Sequence, residues 1–492
     1  MLTSANPGDF CSRGKAVLPL LCAFVLLCPL KVWPFSSPVH IPITLAGNFG
    51  EPRPNHFHGG IDVRTERQEG YPVFSIADGY VYRITIGSGY GNAVYVRHPD
   101  GKTSVYGHLN NFVPALRTAV SRWRLAHGQE DVIDVPHESS AYADIRLAPY
   151  EYPVSEGQLI AMSGNTGGSQ APHLHLEIRD TRTWAILDPL DYLGKYLKDS
   201  EPPTARAFMA YPVLGQGIFE GFSEKRSFPF TDHHLTREFR AWGKVGFGLC
   251  ADDHMEECYQ KYGIRRTILT VDGREVFSSN VDSIPAAMNR FVNSWGDYDH
   301  YFSRHEWYMK SFIEPGNPLP ILHADANRGI VNFCEQRDYH LEYTLTDVFG
   351  NESKYSFIVH GEPQAIPTAP AISIANVLRW DRQNNFQLPG LQLIIRPGSL
   401  ATDRFLTPEV EFKPDSLSDS YVFCSSSFPL VRPAIISIRV KRKLADGEKI
   451  YVDCDGVNLG GSYQDDWITA YSSDLGGTYS VRSNKDDLGN ND

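Results

Sequence analysis

Cysteine is scarce, 8 in 492 residues, and three of these (Cys11, Cys22, Cys28) precede residue 30. The others, Cys250, Cys258, Cys334, Cys424 and Cys454, are odd in number and match no zinc or redox spacing. A thiolate metal centre is therefore not expected. Cys250 and Cys258 either bridge or remain buried thiols. Basic residues are also in deficit, 46 Lys plus Arg against 58 Asp plus Glu, for a net charge of −12. Such a chain has no general attraction for phosphate, so no nucleic-acid partner is expected. Long apolar runs are missing except at residues 16–30, where Pro19 and Pro29 interrupt the stretch. It falls short of the roughly 20 residues that span a bilayer. Arg13 and Lys15 precede it, the pattern of a secretory signal. Residues 1–36 are thus read as a signal peptide, or as a retained N-terminal membrane anchor. No small residue stands before Cys22 or Cys28, which argues against lipoprotein processing. The bulk of the chain is expected to be exported, to the periplasm or cell envelope.

Aromatic and strand-forming residues are plentiful, with 26 Phe, 25 Tyr and 8 Trp. At 42% hydrophobic and 21% charged the composition is globular, which excludes a mostly disordered chain, and the length suggests about three domains. The fold class expected is mainly β. Residues 73–84 read as a hairpin turning at Asp78-Gly79, and 93–98 with 102–108 as another. Leu116, Ala119, Val120 and Trp123 stand at helical spacing, so 115–126 reads as a helix. Strand signals resume at 158–162 and 174–178. Ser200-Glu201-Pro202-Pro203 reads as a linker. Beyond it, 204–362 has the short strands and turns of an immunoglobulin-like β-sandwich, with hairpins at Asp272-Gly273 and Gly350-Asn351. Prolines at 363, 367 and 370 then open a C-terminal β-rich domain, 367–492.

Chemistry concentrates in the first domain. In His58-Gly59-Gly60-Ile61-Asp62 an imidazole and a carboxylate, both good zinc donors, are separated by small residues that let the loop fold both onto one ion. In His173-Leu174-His175-Leu176 the two imidazoles share a face if the segment is a strand, while the leucines enter the core. Spacing alone leaves open whether that pair is ligand plus acid/base or two surface residues. His108 ends the strand Tyr106-Gly107-His108-Leu109.

Taken together, these segments resemble the lysostaphin/LytM-type zinc endopeptidases. Gly89-Tyr90-Gly91-Asn92, Val96-Arg97-His98, Val154-Ser155-Glu156-Gly157-Gln158, Gly164-Asn165-Thr166-Gly167 and Asp188-Pro189-Leu190 occur in the family's order. The likeness covers roughly residues 45–195. It implies an antiparallel LytM-like catalytic domain over 37–200; the two β-sandwich-like domains that follow lie outside the likeness. It also implies a Zn2+ cofactor held by His58, Asp62 and His175, with His108 and His173 as unligated catalytic residues. Which of these two is the general base stays open. The substrate implied is the peptide stems and cross-links of bacterial peptidoglycan. The alternative is a non-catalytic envelope protein that binds the wall or activates other hydrolases.

The chain departs from the family pattern in an insertion at 110–153, read as either a lid or a surface decoration. His56 is a competing ligand, and Asn48 or Asn55 is a candidate plug for the metal. Asp232-His233-His234 and His254 with Glu256 and Glu257 read as surface groups. Tyr298, Tyr301, Trp307 and Tyr308 read as core.

Overall fold

The computed structural model describes residues 34–128, 143–256, 258–369, 374–424, 426–445 and 447–484. Residues 1–33 of the expected leader lie outside them. No described helix is long and apolar enough to cross a membrane.

The first domain is built on an antiparallel sheet. Its strands run in the order Leu45–Gly47, Ile61–Arg64, His173–Asp180, Lys102–Leu109, Asn92–Arg97, Gly79–Ile86, Ala143–Arg146. Alternation along His173–Asp180 sets the two faces: Leu174, Leu176 and Ile178 enter the core, and His173, His175, Glu177 and Arg179 face the other way. A small second sheet, Pro72–Phe74 with Leu159–Met162 and Asn111–Phe112, closes the core.

This arrangement corrects the first predicted hairpin. Pro72–Phe74 pairs with Leu159–Met162, whereas Gly79–Ile86 pairs with Asn92–Arg97. Ser75 and Ile76 are fully buried where the chain crosses between sheets, so Asp78-Gly79 begins a new strand instead of closing a ribbon. The second hairpin forms. Helix Pro114–Ala126 also forms, with proline in its first turn and Leu116, Ala119 and Val120 buried. The insertion's strand Ala143–Arg146 lies at the far edge of the sheet. Of its residues, 129–142 lie outside the described residues.

In the second domain, strands between Thr204 and Gly361 form one ten-stranded hydrogen-bonded network with a parallel pairing of Phe239–Asp252 and Glu352–Gly361. The network wraps an aromatic core in which Phe208 stacks on Phe357 at 4.1 Å. In the third region, two five-stranded sheets enclose a single core. Cys250, Cys258, Cys334, Cys424 and Cys454 are free thiols, so Cys250 and Cys258 do not bridge.

The domains share cores. Phe49, Phe57 and Ile186 of the first belong to the core of the second, and Met255 and Tyr262 of the second belong to the core of the first. Ile186–Leu187 pairs with Ser283–Ile284 across the seam. Arg290 joins all three regions: Nε donates to Leu430 O at 3.0 Å and Nη2 to Asn55 Oδ1 at 3.1 Å.

Candidate metal centre

Asp62 and His175 are register partners on adjacent antiparallel strands, so their side chains rise together from one face of the sheet. His58 arrives from the loop before Ile61–Arg64. Gly59 and Gly60 let that loop lie against the neighbouring strand, since a Cβ on Gly60 would stand 2.2 Å from Leu176 O. The result is a tight triangle of donors. Asp62 Oδ1 is 3.0 Å from His58 Nε2 and 2.9 Å from His175 Nδ1, and those two nitrogens are 3.1 Å apart. All three residues are buried.

Outer partners set the tautomers. His58 Nδ1 lies 2.6 Å from Asn48 O and His175 Nε2 lies 3.2 Å from Glu177 Oε1. Each outer N–H donates to an oxygen, which turns a lone pair of the inner nitrogen toward the triangle. Two nitrogens facing each other at this distance need a positive charge beside them. Without a metal, a proton supplies it: burial lowers the His175 imidazole, but hydrogen bonds to Asp62 and Glu177 outweigh burial and push it up to about 9. Burial takes His58 down to about 4 despite Asp62. Burial also acts to raise Asp62, yet the three surrounding histidines hold it well below the usual carboxylate range. The other oxygen of Asp62 accepts from Arg53 Nη2 at 3.0 Å, leaving Oδ1 for an ion.

The donor set therefore fits a small divalent cation. Donors at about 2.0–2.1 Å on a tetrahedral ion stand roughly 3.3 Å apart, close to the spacing found.

His108 and His173 flank this triangle. Their rings are 4.7 Å apart, and His173 Nε2 is 3.3 Å from Asp62 Oδ1. Strand alternation would send His108 to the core side with Tyr106. A bulge opposite Asn92 and Val94, with His108 at φ +58°, turns its ring to the site instead. His108 Nδ1 lies 2.8 Å from Thr166 O. Burial, and then the neighbouring His175 and His173, lower its imidazole to about 4.

Glu177, Arg179 and Tyr90 were not foreseen. Arg179 Nε donates to Glu177 Oε2 at 2.6 Å, and Tyr90 Oη donates to Oε1 at 2.5 Å. Burial would raise Glu177, but Arg179 and His175 draw it down to about 2. The signal for Glu177 and Arg179 was present in the sequence, because residues 173, 175, 177 and 179 share one strand face.

The remaining candidates go elsewhere. His56 is exposed and its Nδ1 contacts Pro54 O. The Asn48 side chain pairs with the Gly263 backbone, and Asn55 Oδ1 accepts from Arg290 and Asn293, so neither plugs the triangle. An open groove of about 1050 Å³ passes over Asp62, His108 and His173, walled by Ile41, Pro42, Arg53 and residues 168–172. No described residue of the 110–153 insertion lines it.

Residues 56–122 match the profile of Peptidase family M23, and residues 375–484 match that of the Zu5-like domain. The chain is 31% identical over 122 residues to the DD-carboxypeptidase/endopeptidase Mpg of Neisseria meningitidis and to that of Neisseria gonorrhoeae. That stretch is 25% of this chain and only 20% of either relative, so the chain spans about a fifth of their length. Among solved structures, the catalytic domain of lysostaphin from Staphylococcus simulans aligns at 21% identity, over 31% of this chain and 92% of that one, with a TM-score of 0.21.

Proposed function

We propose, from the premise that the first domain is a peptidase family M23 domain, that this chain is an exported zinc endopeptidase. Its substrate is the peptide cross-links of bacterial peptidoglycan. The observation that carries this reading is the His58–Asp62–His175 triangle with two further imidazoles beside it, open to a groove. The curated relatives act, by their names, as DD-carboxypeptidase and endopeptidase, which supports a peptide substrate of this class.

Zinc on these three residues would supply a bound water of pKa near 7 and polarise the scissile carbonyl. The protein's own groups do the rest. Arg53 and Glu177 hold Asp62 and His175 in their ligating orientations. Donation from His108 Nδ1–H to Thr166 O leaves Nε2 as proton acceptor, and burial keeps that ring neutral at working pH. His173, more open to the groove, is placed to stabilise oxyanion charge or return a proton to the leaving amine. The groove admits an extended peptide.

Digestion of isolated murein by the zinc-loaded chain, with released muropeptides identified by mass spectrometry, tests the proposal. Cleavage at peptide bonds is expected. A folded, zinc-loaded protein that leaves murein intact would favour a non-catalytic wall-binding or hydrolase-activating role.

Glu177 gives a sharper check of the metal site. Glu177→Gln removes the charge that orients His175, and should weaken zinc binding by about 10–100-fold while the fold persists. Competition against a chromophoric chelator measures this. Unchanged affinity would show that His175 needs no such partner.

A further inference from the structure

A second group of metal donors lies away from the groove. Asp199, on the segment leaving the first domain, meets Asp253, which follows strand Phe239–Asp252, and Asp347, which follows strand Asp338–Thr346. One carboxylate oxygen from each lies within 4.8 Å of the others. Asp253 is 2% and Asp347 4% exposed. Asp347 is pinned by its own turn, Oδ1 accepting from the amides of Gly350 and Asn351 and Oδ2 from Asn351 Nδ2. Asp199 Oδ1 accepts from the Glu201 amide. Asp199 Oδ2 and Asp253 Oδ1 are buried and have no hydrogen-bond partner among the described residues. Two buried carboxylates and a half-buried third, with two uncommitted oxygens and no paired cation among the described residues, form a costly arrangement unless a positive charge joins them.

We propose that Asp199, Asp253 and Asp347 form a structural calcium site that staples the peptidase domain to the β-domain behind it. All-oxygen, all-carboxylate donors select a hard cation. Calcium accepts a protein-built cage of oxygens at 2.3–2.6 Å, whereas magnesium keeps much of its water. The location gives the ion a task. Just past Asp253, Met255 and Tyr262 enter the core of the first domain, and Val348 and Phe349, next to Asp347, pack against that same core.

In the ion's absence, protons stand in for it. Burial, followed by repulsion from Asp199 and Asp347, raises Asp253 to about 8. Burial, opposed by the Glu201 amide and reinforced by Asp347, raises Asp199 to about 7. Folded values above the unfolded one mean that, without calcium, the contribution of these two carboxyls is fully present below about pH 4 and is lost as pH rises towards 8. Calcium should therefore stabilise more strongly at pH 8.5 than at pH 5.5.

The test uses the full chain in calcium-free buffer, with zinc content checked by atomic spectroscopy throughout. Calcium chloride is titrated by calorimetry and by thermal unfolding. About one calcium per chain and a rise in Tm of about 3–8 °C at millimolar calcium are expected, larger at the higher pH. Asp253→Asn should abolish the calcium response, raise Tm in calcium-free buffer by removing a carboxyl that must hold a proton to stay buried, and leave zinc content unchanged. Asp199→Asn, at the more exposed corner, repeats the measurement if Asp253→Asn misfolds. The site is refuted by any of three results: no heat and no Tm shift in the parent chain up to 10 mM calcium, a response to magnesium but not to calcium, or a calcium response that survives both substitutions.

Discussion

Asp62→Ala should strip the chain of zinc and of peptidase activity together, whereas His108→Ala should keep the metal and lose the rate. The asymmetry follows from where the atoms stand. Asp62 Oδ1 is the shared vertex of the triangle, within 3.0 Å of both ligating nitrogens, and it is the only anion in a buried set whose other members are imidazoles. Removing it leaves two neutral donors and exposes Arg53 to them, a set that repels a cation. His108 touches no ligand atom of the triangle; its anchor is Thr166 O, and only its ring approaches His173 and His175. Losing a positioned acid/base group costs about 10²- to 10⁴-fold in rate. His175→Ala belongs with Asp62→Ala, and His173→Ala with His108→Ala. Zinc per chain by atomic spectroscopy, set beside the initial rate of murein cleavage, separates the two classes. Equal zinc loss in all four variants would contradict the division of roles.

The parts of this site that could be read in the sequence were those written in local periodicity. A period of two puts His173 and His175 on one face, and the glycines after His58 announce a loop that must lie close to something. His108 was readable only by likeness to a family, because its orientation depends on a bulge that no alternation rule contains. The turn at Asp78-Gly79 was misread for a related reason: two-residue turn chemistry does not say whether the flanking strands pair with each other or leave for different sheets. Glu177 was passed over because a charged residue on a strand face ordinarily means solvent, whereas here Arg179 and Tyr90 make its burial possible. The helical turns from Ala286–Phe291 through Tyr298–Arg304 were also missed, short pieces held by tertiary packing more than by their own periodicity. Tyr298 and Tyr308 are buried as expected of core, while Tyr301 and Trp307 stack half-exposed at 4.2 Å.

Two consecutive prolines also suggested a linker at 200–203, and a linker ordinarily leaves the domains on its two sides free to fold apart. The seam described above makes the opposite outcome the expected one: a chain ending at residue 200 should fail to hold its metal site. Phe57, the residue before His58, is 1% exposed, and its ring packs against Trp295 at 5.9 Å. Its amide donates to Asn289 Oδ1 at 2.7 Å, and the Asn55 amide donates to Asn293 Oδ1 at 3.0 Å. Every one of these partners lies beyond residue 200. Truncation would expose Phe49, Phe57 and Ile186 together and free the segment before His58. The fragment should therefore aggregate or bind zinc weakly. Within the intact chain, Phe57→Ala isolates the effect: it leaves a cavity beside Trp295 costing about 3–5 kcal/mol. It should also weaken zinc binding, because the backbone carrying His58 loses its anchor. Denaturant unfolding and chelator competition on the same variant read the two losses. A soluble fragment ending at residue 200 that cleaved murein at the full rate would show that the seam contributes nothing to the site.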